Sequence, residues 1–423
     1  MIGYQKIKTS AVDWIGNIPE HWDIRRLKRS TKLITEKASK RDNPIALENI
    51  ESWTGRLIKT ETEFEGDGIA FNAGDILFGK LRPYLAKAYL TDLTGEAVGD
   101  LLVLRPEKDT SSKFTQYQIL NREFISIVNS STFGSKMPRT SWDFMGNMLV
   151  TAPPIDEQEK IVNFLDRETS KIDELIQKQE KLIELIQELQ QAKILMCVTR
   201  GIKPVAKLKK STNIWLDEIP SSWGEGNLKV LSKIYSGGTP DKSKQEYWTN
   251  GTIPWLNSGS VNDFYIFEPS EYITVEALSK SSAKWIKSGS VLVALAGQGK
   301  TKGMAAQLMF DSTCNQSMCA IVPSEKLNSN YLLWWLSANY QNIRNLAGGD
   351  LRDGLNLEMI GSIKCPLPSI NEQIEIAKYL DSVKEKNLHL IERCKKSIEL
   401  LTEHRSSLIS AAVTGKIDVR EVA

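Results

Sequence analysis

A chain of 423 residues, 41% hydrophobic and 25% charged, has room for two or three domains of ordinary globular composition. Its formal net charge of +2 does not by itself mark a nucleic-acid binder. No apolar run approaches the roughly 20 residues that span a bilayer. Met1–Lys6 has no apolar signal core, and five scattered cysteines with three histidines suit neither a disulfide framework nor a zinc site, so a reducing cytoplasm is the expected compartment.

In chain order, a first globular segment opens with Trp14, Ile18-Pro19 and Trp22. Asp75–Phe78 and Asp100–Leu104 are short apolar runs bounded by Gly and charge, and predict strands. Between them, Gly79–Lys87 interleaves Lys80, Arg82 and Lys87 with Tyr84. Such a loop suits a phosphate backbone, and equally a solvated hairpin. Ser130–Trp142 is a second small-residue loop, with Lys136, Arg139 and Ser141.

Pro153-Pro154-Ile155-Asp156-Glu157-Gln158 then stops one segment and starts a helix, with Asp156 as the expected N-cap and Glu157 in the first turn. Ile161, Leu165, Ile172, Leu175, Leu182, Ile186, Leu189 and Met196 predict its seam. At 1.5 Å per residue the helix would be about 65 Å long. It cannot bury its stripe alone. Its partner is either its own repeat, packed antiparallel, or a second chain.

That repeat exists. Pro368-Ser369-Ile370-Asn371-Glu372-Gln373 returns 215 positions later, and the same offset maps Gly146 onto Gly361, Asp166 onto Asp381 and Val198-Thr199 onto Val413-Thr414. Asn371 is the expected cap, and Ile376, Leu380, Val383, Leu390, Cys394, Leu401 and Leu408 the second seam, with Asn387 inside it. Pro19 maps onto Pro220 at an offset of 201, so the second globular segment is 14 residues longer. By symmetry, the end of the second helix should point back at the first module.

The second module opens with Trp215, Ile219-Pro220 and Trp223 and carries the turn Gly237-Gly238-Thr239-Pro240, followed by Lys242. Val291–Leu295 and Cys319–Val322 predict buried strands, the latter preceded by Asn315-Gln316, and Tyr331–Leu336 predicts a packed helix. Gly348–Asn356, with Arg352, matches the position of the Gly134–Trp142 loop. Ala294–Thr301, with Gln298, Lys300 and the following Lys302, imitates a phosphate-binding GxxxxGK[ST] loop. The first glycine is missing, and Lys302-Gly303 follows where a helix should begin. A Gly-rich basic loop on a DNA backbone suits both copies better.

Catalytic signatures are absent: no Gly-x-Ser-x-Gly elbow, no HExxH, no methyl-donor loop, and only Asn43-Pro44-Ile45 near an Asn-Pro-Pro-aromatic tetrapeptide. Residues 156–193 carry ten acidic and six basic side chains and 371–405 seven of each, so the globular parts hold a net +6. A mixed α/β architecture is expected: a first recognition domain at 1–152, a spacer helix at 153–200, a second recognition domain at 201–365, and a distal helix and tail at 366–423.

The paired Pro-x-x-x-Glu-Gln starts lead to Phe164-Leu165-Asp166 and Tyr379-Leu380-Asp381. With the two Ile-Pro-x-x-Trp openings and Gly237–Pro240 with Ile253-Pro254-Trp255, the chain resembles, over essentially its full length, the DNA-specificity subunit of type I restriction–modification systems. The resemblance implies two target-recognition domains, each reading half of an asymmetric two-part site in double-stranded DNA. It also implies two antiparallel helices that set the spacing and dock two modification subunits, which bind S-adenosylmethionine and methylate adenine. Motor and nuclease subunits would join, and this chain would bind no cofactor. Loop chemistry, not the resemblance, proposes the DNA contacts: Lys80, Arg82, Tyr84, Lys87, Lys136, Arg139 and Ser141, then Thr239, Lys242, Gln298, Lys300, Lys302, Asn315, Gln316 and Arg352. The alternative is a coiled-coil scaffold that presents two non-DNA ligand modules.

Overall fold

The structure, a computed structural model, describes residues 3–39, 42–58, 68–134, 136–203, 207–297, 299–347 and 354–420. It divides into two compact units, residues 1–181 with 394–423, and residues 182–393. Each unit joins one globular module to part of both long helices, Ile155–Arg200 and Ile370–Val413.

The first unit is built on a four-stranded sheet in the order Thr31–Ile34, Leu101–Pro106, Ile76–Gly79, Ala88–Leu90, all neighbours antiparallel. The two predicted strands are adjacent, with Leu102 opposite Phe78. The second unit repeats this order with Ser232–Ser236, Met318–Pro323, Val291–Ala294 and Ala305–Leu308, and adds Tyr265–Ile266 as a parallel edge. The repeat therefore extends through the globular parts at the level of topology. The offset is 201 at Thr31/Ser232 and 215 at Ile76/Val291, so the 14 extra residues enter between these strands. The helix Ser329–Ala338 is buried through both tryptophans, as its composition predicts.

The repeat motifs are fasteners between helix and module. Gln158 accepts from the Ser111 amide (2.8 Å) and donates to the Pro153 carbonyl (2.9 Å); Gln373 accepts from the Asn328 amide (2.7 Å) and donates to the Pro368 carbonyl (3.0 Å). Glu157 takes the Tyr4 hydroxyl and lies 2.7 Å from His21 Nε2, which gives that histidine a structural partner. Glu372 accepts from Trp223 Nε1 at 3.2 Å. Asp166 accepts from the Tyr117 hydroxyl at 2.6 Å, and Asp381 from the Tyr265 hydroxyl at 2.8 Å and Trp334 Nε1 at 3.0 Å. Burial, then the carboxylate bond, pushes both tyrosine hydroxyls above their ordinary pKa.

The helices begin one residue before the expected caps. Ile155 and Ile370 are already helical, so Asp156 and Asn371 lie inside the first turn. The Pro154 carbonyl receives the Glu157 and Gln158 amides, and the Ser369 hydroxyl receives the Glu372 amide. Pro154 and Ser369 therefore hold the cap positions, two residues upstream of those expected.

Within each unit the two helices run antiparallel. In the first, Thr151 donates to the Val413 carbonyl (2.5 Å) and Arg405 donates to Asp173 (2.9 Å). In the second, Lys203 bonds Glu375 (2.7 Å) and Asn387 donates to Gln190 (3.0 Å), so Asn387 does lie in the seam. The seam's register needs correction. Leu175, Leu182, Leu189, Met196 and Leu390 are exposed, and Ile176, Ile183, Gln190, Cys197 and Ile391, each one residue later, are the more buried side chains. The sequence carries two adjacent apolar stripes, and the isoleucine stripe faces inward.

Glycines at positive φ end both helices, Gly201 (φ 79°) and Gly415 (φ 71°). A Cβ on Gly415 would lie 2.4 Å from Pro19 Cδ and 3.0 Å from Trp22 Cζ3. The Ile-Pro-x-x-Trp opening is thus the seat for the end of the second helix, which does return to the first module. Arg420 lies 4.9 Å over the Tyr4 ring, and the Lys416 carbonyl lies beside Gly3, so both ends of the described chain meet there.

Candidate nucleic-acid interface

In the first unit the two predicted loops form one surface. Arg139 bridges to Leu81 and to Phe133, Arg82 donates its amide to the Pro138 carbonyl (2.8 Å), and the Thr140 amide donates to the Lys80 carbonyl (3.0 Å). Asp100, at the start of the neighbouring strand, accepts two bonds from Arg139 (3.0 and 2.8 Å) and lies 3.7 Å from the Lys80 ammonium. Arg139, then the smaller effect of Lys80, outweighs the burial of Asp100 and holds its carboxyl below the usual range. Sequence reasoning missed this acid, which ties cations from two loops together.

Arg82 is exposed in the left-handed region (φ 50°, ψ 62°) and opens the short turn Pro83–Leu85, beside an exposed Tyr84. Lys136 is exposed, and Ser141 caps the helix Trp142–Met145 by accepting the Phe144 amide. Lys87 is placed differently from expectation. Its ammonium donates to the Leu47 carbonyl at 2.7 Å, and burial lowers its pKa. It faces inward because the short turn Pro83–Leu85 returns the chain directly into the edge strand Ala88–Leu90.

In the second unit, Gly237 and Gly238 are required by close approach: a Cβ would lie 1.9 Å from the Cys314 carbonyl oxygen and 2.1 Å from Ser282 Oγ, respectively. That approach presents Thr239, whose hydroxyl donates to Gln316 Oε1 at 2.5 Å. Asn315 accepts the Ser317 amide (3.1 Å) and shapes the turn that carries Gln316. Lys242 lies over the rings of Trp248 and Trp255, at 5.2 and 5.6 Å, near Glu271.

The apparent phosphate-binding loop joins Val291–Ala294 to Ala305–Leu308, antiparallel strands with no helix between them among the described residues. A P-loop needs the amides of a helix N-terminus, so this stretch is a strand connection. Lys300 is exposed on it and its carbonyl accepts the Tyr340 hydroxyl (2.5 Å). Lys302 is only 3% exposed, so its side chain is turned into the unit and away from any surface ligand. Gln298 and Arg352 lie outside the described residues.

An open groove of about 610 Å³ beside Asn257, Ser260, Asp263, Phe267 and Glu268 has two carboxylates and no cation in its lining, the wrong chemistry for phosphate. Among the described residues, no group of three or more His, Cys, Asp or Glu could hold a metal, and no helix is long and apolar enough to cross a membrane.

Residues 220–400 match the model of the type I restriction modification DNA specificity domain. The chain is 32% identical over 200 residues to the type I restriction enzyme EcoR124I/EcoR124II specificity subunit of Escherichia coli, across 45% of this chain and 49% of that relative. It is 25% identical to the MjaVIII specificity subunit of Methanocaldococcus jannaschii across 96% of this chain and 95% of the relative. A chain from a structure of the type I restriction–modification system shares the fold with a TM-score of 0.75 at 18% identity, over 95% of this chain and 99% of that one. The HsdS subunit from Thermoanaerobacter tengcongensis shares it at 0.57 and 19%, over 95% and 98%. With two repeated modules, two long helices and these matches along its length, the chain is similar in sequence and fold to the DNA-specificity subunits of type I restriction–modification systems.

Proposed function

We propose that the chain is the recognition component, not the catalyst, of a restriction–modification complex, with each module reading one part of a two-part site in double-stranded DNA. The observation that carries this is the repeat of one surface in two modules. In each, the loop leaving the same sheet strand, Ile76–Gly79 or Val291–Ala294, holds an exposed cation, Arg82 or Lys300. Loops of this kind fix register on phosphates, and side chains such as Gln316 beside them can reach base edges.

The helices support the partner assignment. In the second unit Leu182, Leu185 and Leu189 leave an apolar stripe uncovered on the first long helix, as do Leu388 and Leu390 on the second, with Leu189 67% exposed. Uncovered stripes of this kind mark protein docking surfaces. Two modification subunits, carrying S-adenosylmethionine and methylating adenine, are the proposed occupants; motor and nuclease subunits complete the assembly. The test is binding of the purified chain, with its modification subunit, to random DNA across a salt series, followed by mapping of methylated adenines. The expected result is a steep salt dependence and one two-part methylated motif. Salt-insensitive binding without sequence preference would favour a scaffold for non-DNA ligands.

A further inference from the structure

The first module has an apolar feature that its cations do not explain. Phe133 is 82% exposed and Met137, four residues on, is 50% exposed. Phe133 is not on a stray loop. Its amide and carbonyl exchange hydrogen bonds with those of Arg139, both at 3.2 Å, and Arg139 bridges on to Leu81, so three short segments form a small ribbon. The ribbon is held to the sheet through Asp100 and flanked by the exposed cations Arg82 and Lys136. Its occupant must therefore be anionic and still offer an apolar spot. Within the small ribbon the Phe133/Arg139 pair is two-stranded, and a two-stranded ribbon fits the DNA major groove, where the one apolar group on the base edges is the thymine C5 methyl.

We propose that Phe133, assisted by Met137, reads a thymine methyl in the half of the site bound by the first module. This rests on the DNA-specificity reading above and adds a base identity to it. Phe133 is then a specificity-determining residue, and Arg82 and Lys136 supply the phosphate attraction that seats it.

The test uses the full chain with its modification subunit, on the motif found by methylation mapping. Each thymine in the first module's half is replaced singly by deoxyuridine, which removes only the methyl. The expected result is a loss of roughly fourfold in affinity at one or two positions, the scale of one buried methyl. Phe133→Ala should bind thymine and deoxyuridine DNA equally, at the native chain's deoxyuridine affinity, with an unchanged thermal midpoint because the ring is exposed. Phe133→Leu should keep part of the discrimination. The inference is overturned if every deoxyuridine is neutral for the native complex, if the penalty persists in Phe133→Ala, or if that half contains no thymine on either strand. Failure of the underlying reading has a different signature: no preference for the mapped motif over competitor DNA in any variant.

Discussion

Arg139 donates two hydrogen bonds to Asp100, at 3.0 and 2.8 Å, and Lys80 approaches the same carboxylate at 3.7 Å. One acid therefore holds cations from two separate loops. Asp100→Ala should release both, raising affinity for non-site DNA and steepening its salt dependence by about one charge, while discrimination between site and non-site falls. Titrations of both DNAs across a salt series check this; unchanged slope and unchanged discrimination would count against it. The sign for pH follows from the lowered pKa of Asp100. Its contribution is present above the unfolded carboxylate value, about 3.9, and is lost only as pH falls through the lower folded value, so the pair is intact at neutral pH.

Lys87 and Arg82 lie five positions apart and should behave oppositely. Lys87→Met removes the donor to the Leu47 carbonyl and should lower the thermal midpoint with no change in the salt slope of DNA binding. Arg82→Asn keeps a residue that tolerates the left-handed backbone and should reduce that slope by about one with little change in stability. The reverse pattern would place Lys87, not Arg82, on the DNA.

The two repeat aspartates should differ in their effect on stability. Asp381→Ala strands two donors, the Tyr265 hydroxyl and Trp334 Nε1, at about 1–3 kcal/mol for each donor that stays buried without a partner. Asp166→Ala releases the Tyr117 hydroxyl, which keeps a contact of 3.3 Å to the Thr169 hydroxyl, and a 3.7 Å ion pair with Lys113 between partly exposed side chains, so the loss should be smaller. Denaturant unfolding of both variants decides it, and an equal loss in the two would contradict these roles.

The repeat, the sheet strands and both long helices were legible in the sequence, because periodicity and Pro-x-x-x-Glu-Gln spacing are local signals. The facing of the helices was not. Leu175 and Ile176, Leu182 and Ile183, and Leu390 and Ile391 offer two stripes one residue apart, and only packing selects the inner one. The interface was legible as a set of loops, but not in which cations reach its surface. Lys87 and Lys302 look like their exposed neighbours in sequence and turn inward in the fold. In the sequence Asp100 marks only a strand start, since its partner Arg139 is 39 positions away. An exposed Phe133 could not be told from a buried one without the bridge to Arg139.

The central claim is that two modules read two half-sites whose separation the helices set. One heptad inserted after Gln179 and one after Cys394, both close to the division between the units, preserves the seam and lengthens each helix by about 10.5 Å. Mapping methylated adenines with the doubly inserted chain tests the claim most directly. Both half-site sequences should persist and the gap between them should grow by about three base pairs, at 3.4 Å each, with weaker binding because those pairs rotate one half-site by about 100°. A variant that still methylates with the original gap would contradict it.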